Sequence, residues 1–183
     1  MSLHPQDVVV ILKLVADGNR RNWTYSELSE ELRMSASQVF RSVARAEAAR
    51  LLSVPTPRIG RVEGISLFAR PNLGNLKEFL VHGVKYCFPA ERGGPTRGVP
   101  TAEAAAPLKQ HFPQDFPLPP VWPSAEGSVR GIEFSPLYKN VAHAALHDPK
   151  LYELLALVDA IREGRARERE IAIRELSMRI DSK

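Results

Sequence analysis

Apolar residues recur at helical spacing near both ends of the chain and lose that spacing in the middle. In PQDVVVILKLVAD, residues 5–17, Val8, Ile11, Leu12 and Val15 fall on one helix face, and the stretch ends at Asp17-Gly18. This predicts a first helix with its apolar face in a core. A second helix is predicted from Thr24 to about Leu32, because Thr24 and Glu27 have the spacing of a capping box, in which each side chain satisfies a free backbone donor. Ser35 and Gln38 repeat that spacing at once, so a third helix starts about three residues after the second stops. Beyond it, LLSVPTPRIGRVEGISLF has two β-prone runs around a tip with Arg58, Gly60, Arg61 and Gly64. A hairpin is predicted there, with Pro55 and Pro57 keeping the first run at an edge. A further helix is capped at Asn72 or Asn75 and reaches His82-Gly83, and Val84–Phe88 reads as one more strand.

From Pro89 to Pro136 the pattern changes: ten of the fifteen prolines and five of the eleven glycines lie here. Long helices are excluded and looped or extended backbone is predicted. Phe112, Phe116, Leu118, Val121 and Trp122 are interleaved with the prolines, so the arm is expected to lie against the protein or a partner. Helical spacing returns at Asp148-Pro149, an acidic cap followed by proline at the first helical position. Leu151, Leu154, Leu155, Val158 and Ile161 form one stripe up to Gly164, and Ile173, Leu176 and Ile180 form another on a last helix. These stripes can close the monomer's own core or make a dimer interface. The expected fold is mainly α with a small β-wing, in three segments: 1–88, a Pro-rich irregular 89–147, and a C-terminal helical pair at 148–183.

Two short helices joined by a tight turn, with a third before them and a wing after, form the winged helix-turn-helix arrangement. On a wheel of about 100° per residue, Val39, Ser42, Val43 and Ala46 share one arc of the third helix. Ser37, Arg41, Ala44, Arg45 and Ala48 take the opposite arc, with Gln38 at its edge. Such a face suits the major groove, where arginine can bond guanine and glutamine adenine in two-pronged fashion. Thr24 and Tyr25, at the start of the second helix, are candidates for a phosphate, and the cap Ser35 is a further DNA-binding candidate. Arg58 and Arg61 are candidates for phosphates or the minor groove.

Charge supports the same surface. The net charge is only +4, but all of the excess lies in residues 1–90, and residues 20–61 hold eight arginines, no lysine and four glutamates. Ser35, Ser37, Val39, Arg41, Val43, Arg45, Glu47 and Leu51 also match a family pattern, S-x-S-x-V-x-R-x-V-x-R-x-E-x-x-x-L. Over residues 5–70 the chain resembles winged helix-turn-helix transcriptional regulators, MarR-like ones especially. The resemblance implies a homodimer that binds double-stranded DNA and regulates transcription. The chain departs from the family at Arg33, where the turn usually carries glycine, and in IGRVEG, which lacks the usual Asp-Arg pair.

The remaining features narrow the alternatives. Hydrophobic residues at 44% and charged residues at 25% are those of an ordinary globular protein, and 183 residues suffice for one domain or two small ones. No signal peptide or membrane-spanning run is read, and with one cysteine a cytoplasmic location is expected. Cys87 reads as a small buried hydrophobe. His143 and His147 are four apart, but no Glu follows His143 and no third ligand is evident, so neither metal nor cofactor is expected. GGPTRGVPTAEAA, residues 93–105, reads as Gly/Pro turns, with Arg97 open to a partner, and REGRARERE, residues 162–170, as a solvated face. No catalytic triad, carboxylate pair or dinucleotide motif indicates an enzyme. The competing expectation is an adaptor or antitoxin-like protein that binds a protein partner through 89–183, with DNA binding secondary or absent.

Overall fold

The structure, a computed structural model, describes residues 2–18, 23–54, 66–67, 69–113, 115 and 117–182. It is mainly helical with a small number of strands. Among the described residues no helix is long and apolar enough to cross a membrane.

Helix α1 (Pro5–Asp17) leads to β1 (Trp23–Thr24), α2 (Tyr25–Leu32) and α3 (Ala36–Ala48). Both capping boxes form. Thr24 Oγ1 accepts from the Glu27 amide at 3.1 Å and Glu27 Oε2 from the Thr24 amide at 2.8 Å; Ser35 and Gln38 exchange the same bonds at 3.2 and 2.9 Å. Between these helices Arg33 adopts the left-handed conformation, with φ 48° and ψ 45°. The turn thus takes the shape that glycine adopts most readily, with an arginine in the place.

The β-prone runs find different partners from those expected. Strand β2 (Leu52–Ser53) pairs antiparallel with β4 (Arg70–Pro71), while β3 (Ser66–Leu67) pairs antiparallel with β1. The tip between them, with Arg58 and Arg61, lies outside the described residues. Next, α4 (Leu73–Glu78), capped by the Asn72 side chain, continues through a π turn at Phe79–Gly83 into α5 (Val84–Cys87). Residues 84–87 are therefore helical and not a strand. Leu76, Leu80 and Val84, four apart and all fully buried, outweigh the local β preference of Val84, Tyr86 and Phe88.

The Pro-rich middle is more regular than its composition suggests. Strands β5 (Arg92–Pro100), β6 (Pro120–Pro123) and β7 (Val129–Phe134) close on one another: β5 pairs antiparallel with both others, and β6 pairs parallel with β7. Residues 93–100 are strand and not a run of turns. Glycine permits the closure, since a Cβ at Gly98 would fall on the carbonyl of Trp122 and one at Gly131 on that of Pro119. Proline is accommodated by a register shift between Arg92 and Pro95.

Three helices complete the chain: α6 (Val141–His147), α7 (Pro149–Glu163) and α8 (Ala166–Asp181). Asp148 caps α7 as expected, accepting from the Lys150 and Leu151 amides at 3.1 and 3.0 Å. All three sequence segments contribute to one hydrophobic cluster. Every residue of α1 from Asp7 to Ala16 is buried, against α3 and α7 among others, so α1 is a central helix and not a surface one. The stripes of α7 and α8 close this core: Leu151, Leu154, Leu155, Val158, Ile161, Leu176 and Ile180 are all buried. Ile173, the remaining member of the α8 stripe, is half-buried against the same core.

Candidate nucleic-acid interface

Helix α3 is held by its narrow inner face. Val39, Val43, Ala46 and Ser42 are fully buried, as the wheel predicts, and small residues there let α3 approach α1 and α2 closely. On the outer face Ser37, Arg41 and Ala48 are exposed and Ala44 is half-buried, so positions 37, 41, 44 and 48 trace one line along the helix. Gln38 lies beside this line. Its Oε1 caps the Ser35 amide, leaving the amide NH2 group as the part that can donate outward.

Arg45 departs from the expected outward direction. It is only 7% exposed, and its Nε and Nη2 donate to Asp7 Oδ2 and Oδ1 at 2.8 and 2.6 Å. Asp7, fully buried in the first turn of α1, also accepts from the His4 amide at 2.8 Å. The reason lies in the wheel itself. Arg45 sits about 60° from buried Ser42 and about 40° from exposed Arg41, at a border where a long side chain can go either way. A buried carboxylate on α1 decides the direction, and the hydrogen bond that Arg45 donates to Asp7 outweighs burial in raising the guanidinium pKa above its ordinary value. Arg45 thus orients α3 on α1 and is not part of the exposed face.

The candidates for phosphate contact divide similarly. Tyr25 is 2% exposed and its ring packs against Phe40 with centroids 5.5 Å apart, so it belongs to the core. Thr24 is half-buried and its hydroxyl is engaged with Glu27, whose carboxylate already occupies the positive end of α2. Ser35 is exposed at the start of α3. Arg58 and Arg61 fall outside the described residues.

Two arginines that the sequence reading left unassigned stand near this surface. Arg33, in the turn before α3, and Arg50, just after α3, are both exposed. Their left-handed φ values of 48° and 59° mark chain reversals at the two ends of the helix. The turn at Arg33 is braced from the other half of the chain. Its carbonyl accepts from Asn140 Nδ2 at 2.9 Å and from Tyr138 Oη at 3.3 Å, and its guanidinium lies 3.5 Å from Glu126 Oε1. Lys13 of α1 adds a second brace, bonded to Glu31 of α2 at 2.6 Å and to the α7 cap Asp148 at 2.7 Å. Burial opposes the charge on Lys13, but these two carboxylates outweigh it and raise its pKa.

Elsewhere, the run at 162–170 is mostly exposed, but Arg162 is buried. It donates to Asp159 Oδ1 at 2.7 Å, while Trp122 Nε1 and Thr101 Oγ1 donate to Asp159 Oδ2 at 2.7 and 2.8 Å. This network ties the closed sheet to α7. Arg97 donates to the Gly127 carbonyl. Cys87 is exposed, not buried. Compared with protein-family models, curated proteins and solved structures, the chain matches none.

Proposed function

We propose that the chain binds double-stranded DNA through a winged helix-turn-helix and regulates transcription. The observation that carries this reading is the outer line of α3. Hydrogen-bonding Ser37 and Gln38 stand near its start and Arg41 one turn later, on the second helix of a tightly turned pair. Such a helix matches the width and donor–acceptor chemistry of the major groove. Ser37, Gln38 and Arg41 face bases in this reading. Arg33, Ser35 and Arg50 serve phosphates, and Arg58 and Arg61 act from the wing. Strands β2 and β3 flank residues 55–65 in the sequence, paired with β4 and β1 respectively. Two copies on a two-fold site complete the reading, because one short helix covers only a few base pairs.

Selection of bound fragments from random duplex DNA, followed by affinity measurement over a salt series, tests it. Wild type is expected to enrich a sequence and to lose affinity steeply with salt. Arg41→Ala should cost about 1–3 kcal/mol on the selected site and little on unrelated DNA. A correctly folded wild-type protein that retains no duplex at low salt would refute the proposal.

A further inference from the structure

The two histidines of α6 acquire in the structure the third partner that the sequence did not reveal. His143 and His147 stand one turn apart, with ring centroids 4.2 Å from each other. Glu126, from the loop between β6 and β7, places its carboxylate oxygens 3.0 and 3.1 Å from His143 Nδ1. One ligand atom from each of Glu126, His143 and His147 can be chosen so that all lie within 4.8 Å of one another. Tetrahedral coordination by nitrogen and oxygen at about 2.0–2.2 Å separates ligand atoms by roughly 3.3 Å, so rotation of exposed side chains closes the difference.

The hydrogen bonding prepares the group for a cation. His147 Nδ1 is 2.9 Å from the His143 carbonyl. A carbonyl only accepts, so this nitrogen carries a proton, and in the neutral ring Nε2 is the atom with the lone pair. That arrangement, one ring nitrogen donating to a carbonyl and the other open, is how metal-binding imidazoles are commonly oriented. The surroundings are anionic. A cavity of about 370 Å³ beside the histidines is lined also by Glu30, Glu31, Asp148 and Lys13. With Glu126 and Arg33, four carboxylates face two cations.

The geometry points to a binding site for one divalent transition-metal ion of the zinc class, held by Glu126, His143 and His147. Two imidazoles and one carboxylate suit zinc, nickel or cobalt and not calcium or magnesium, which prefer oxygen alone. Three protein ligands leave the remaining position to water. Because Glu126 also approaches Arg33, the metal competes with that arginine for the carboxylate. It also ties the β6–β7 loop to α6. The site does not depend on the DNA-binding proposal.

The test uses the full, untagged chain stripped with chelator, with zinc delivered from a chromophoric competitor and cobalt read by its visible absorption. One equivalent per chain is expected, with tetrahedral-type cobalt bands and a metal-dependent rise in thermal midpoint. Glu126→Gln and His147→Ala should each weaken zinc by about tenfold or more. Both replace exposed side chains, and circular dichroism verifies that they fold. His82→Ala, remote from the cluster, should bind like wild type. Absence of stoichiometric binding at micromolar zinc would overturn the proposal. So would loss in His147→Ala with full retention in Glu126→Gln, which would reveal a simple two-histidine surface chelate.

Discussion

Replacing Arg45 by methionine keeps most of the aliphatic stem but removes both bonds to Asp7. The Asp7 carboxylate is fully buried and would retain only the His4 amide at 2.8 Å. Two charge-assisted bonds, at 2.8 and 2.6 Å, are lost, each contributing about 1.5–3 kcal/mol. Breaking a buried pair from one side generally costs about 3–5 kcal/mol, the same range. For a chain of this size that corresponds to a fall in midpoint of roughly 6–20 °C. The companion variant Asp7→Leu/Arg45→Met removes both charges and should cost much less, on the order of the lost cap at about 1 kcal/mol. Urea unfolding of wild type, both single variants and the double variant completes the cycle. If Arg45→Met unfolds within about 0.5 kcal/mol of wild type, as surface substitutions do, the argument for a buried, orienting Arg45 fails. The same double variant separates orientation from DNA contact. On the DNA-binding proposal, the variant, folded and with α3 in place, should select the same DNA sequence as wild type.

Two further outcomes follow from backbone shape and burial. Arg33→Gly should be more stable than Arg33→Ala by about 1 kcal/mol in the same urea assay, because alanine keeps the left-handed strain while both variants lose the Glu126 contact; equal stabilities would contradict the turn geometry. Burial pushes the Tyr152 hydroxyl, bonded to the Pro100 carbonyl at 2.6 Å, up to about 12 from its ordinary 10. The unfolded chain then releases this proton first, so stability is retained below pH 10 and falls as pH rises toward 12. Phenolate absorbance should show a late-titrating component that loses one tyrosine's amplitude in Tyr152→Phe, and an unchanged titration would refute the assignment.

Helix starts were legible because a cap is a local event. Thr24, Ser35, Asn72 and Asp148 each satisfy amides two or three residues away, and spacing alone reveals them. What distant residues decide was not legible. Arg45 turns inward because of Asp7, thirty-eight positions earlier. Glu126 reaches His143 because β6 and β7 bring their connecting loop to α6. Nor could periodicity place Tyr25, whose position at the start of a helix suggested a phosphate but whose ring was claimed by Phe40. For 84–87 the burial of Leu76, Leu80 and Val84 at four-residue spacing was present in the sequence, and the apparent stop at Gly83 hid it. The closed sheet was obscured by proline content, since the permissive signal is glycine at Gly98 and Gly131, where backbones meet.

The complete burial of α1 also bears on how the chain is made. Pro5–Asp17 leaves the ribosome long before Pro149, yet one side of α1 is covered only when α7 arrives. Until then an apolar helix stands uncovered, in the situation that invites chaperones or aggregation. A fragment ending at residue 88 would reproduce that half-covered state permanently. The exposed line on α3 therefore rests on a helix whose cover is completed by the other end of the chain.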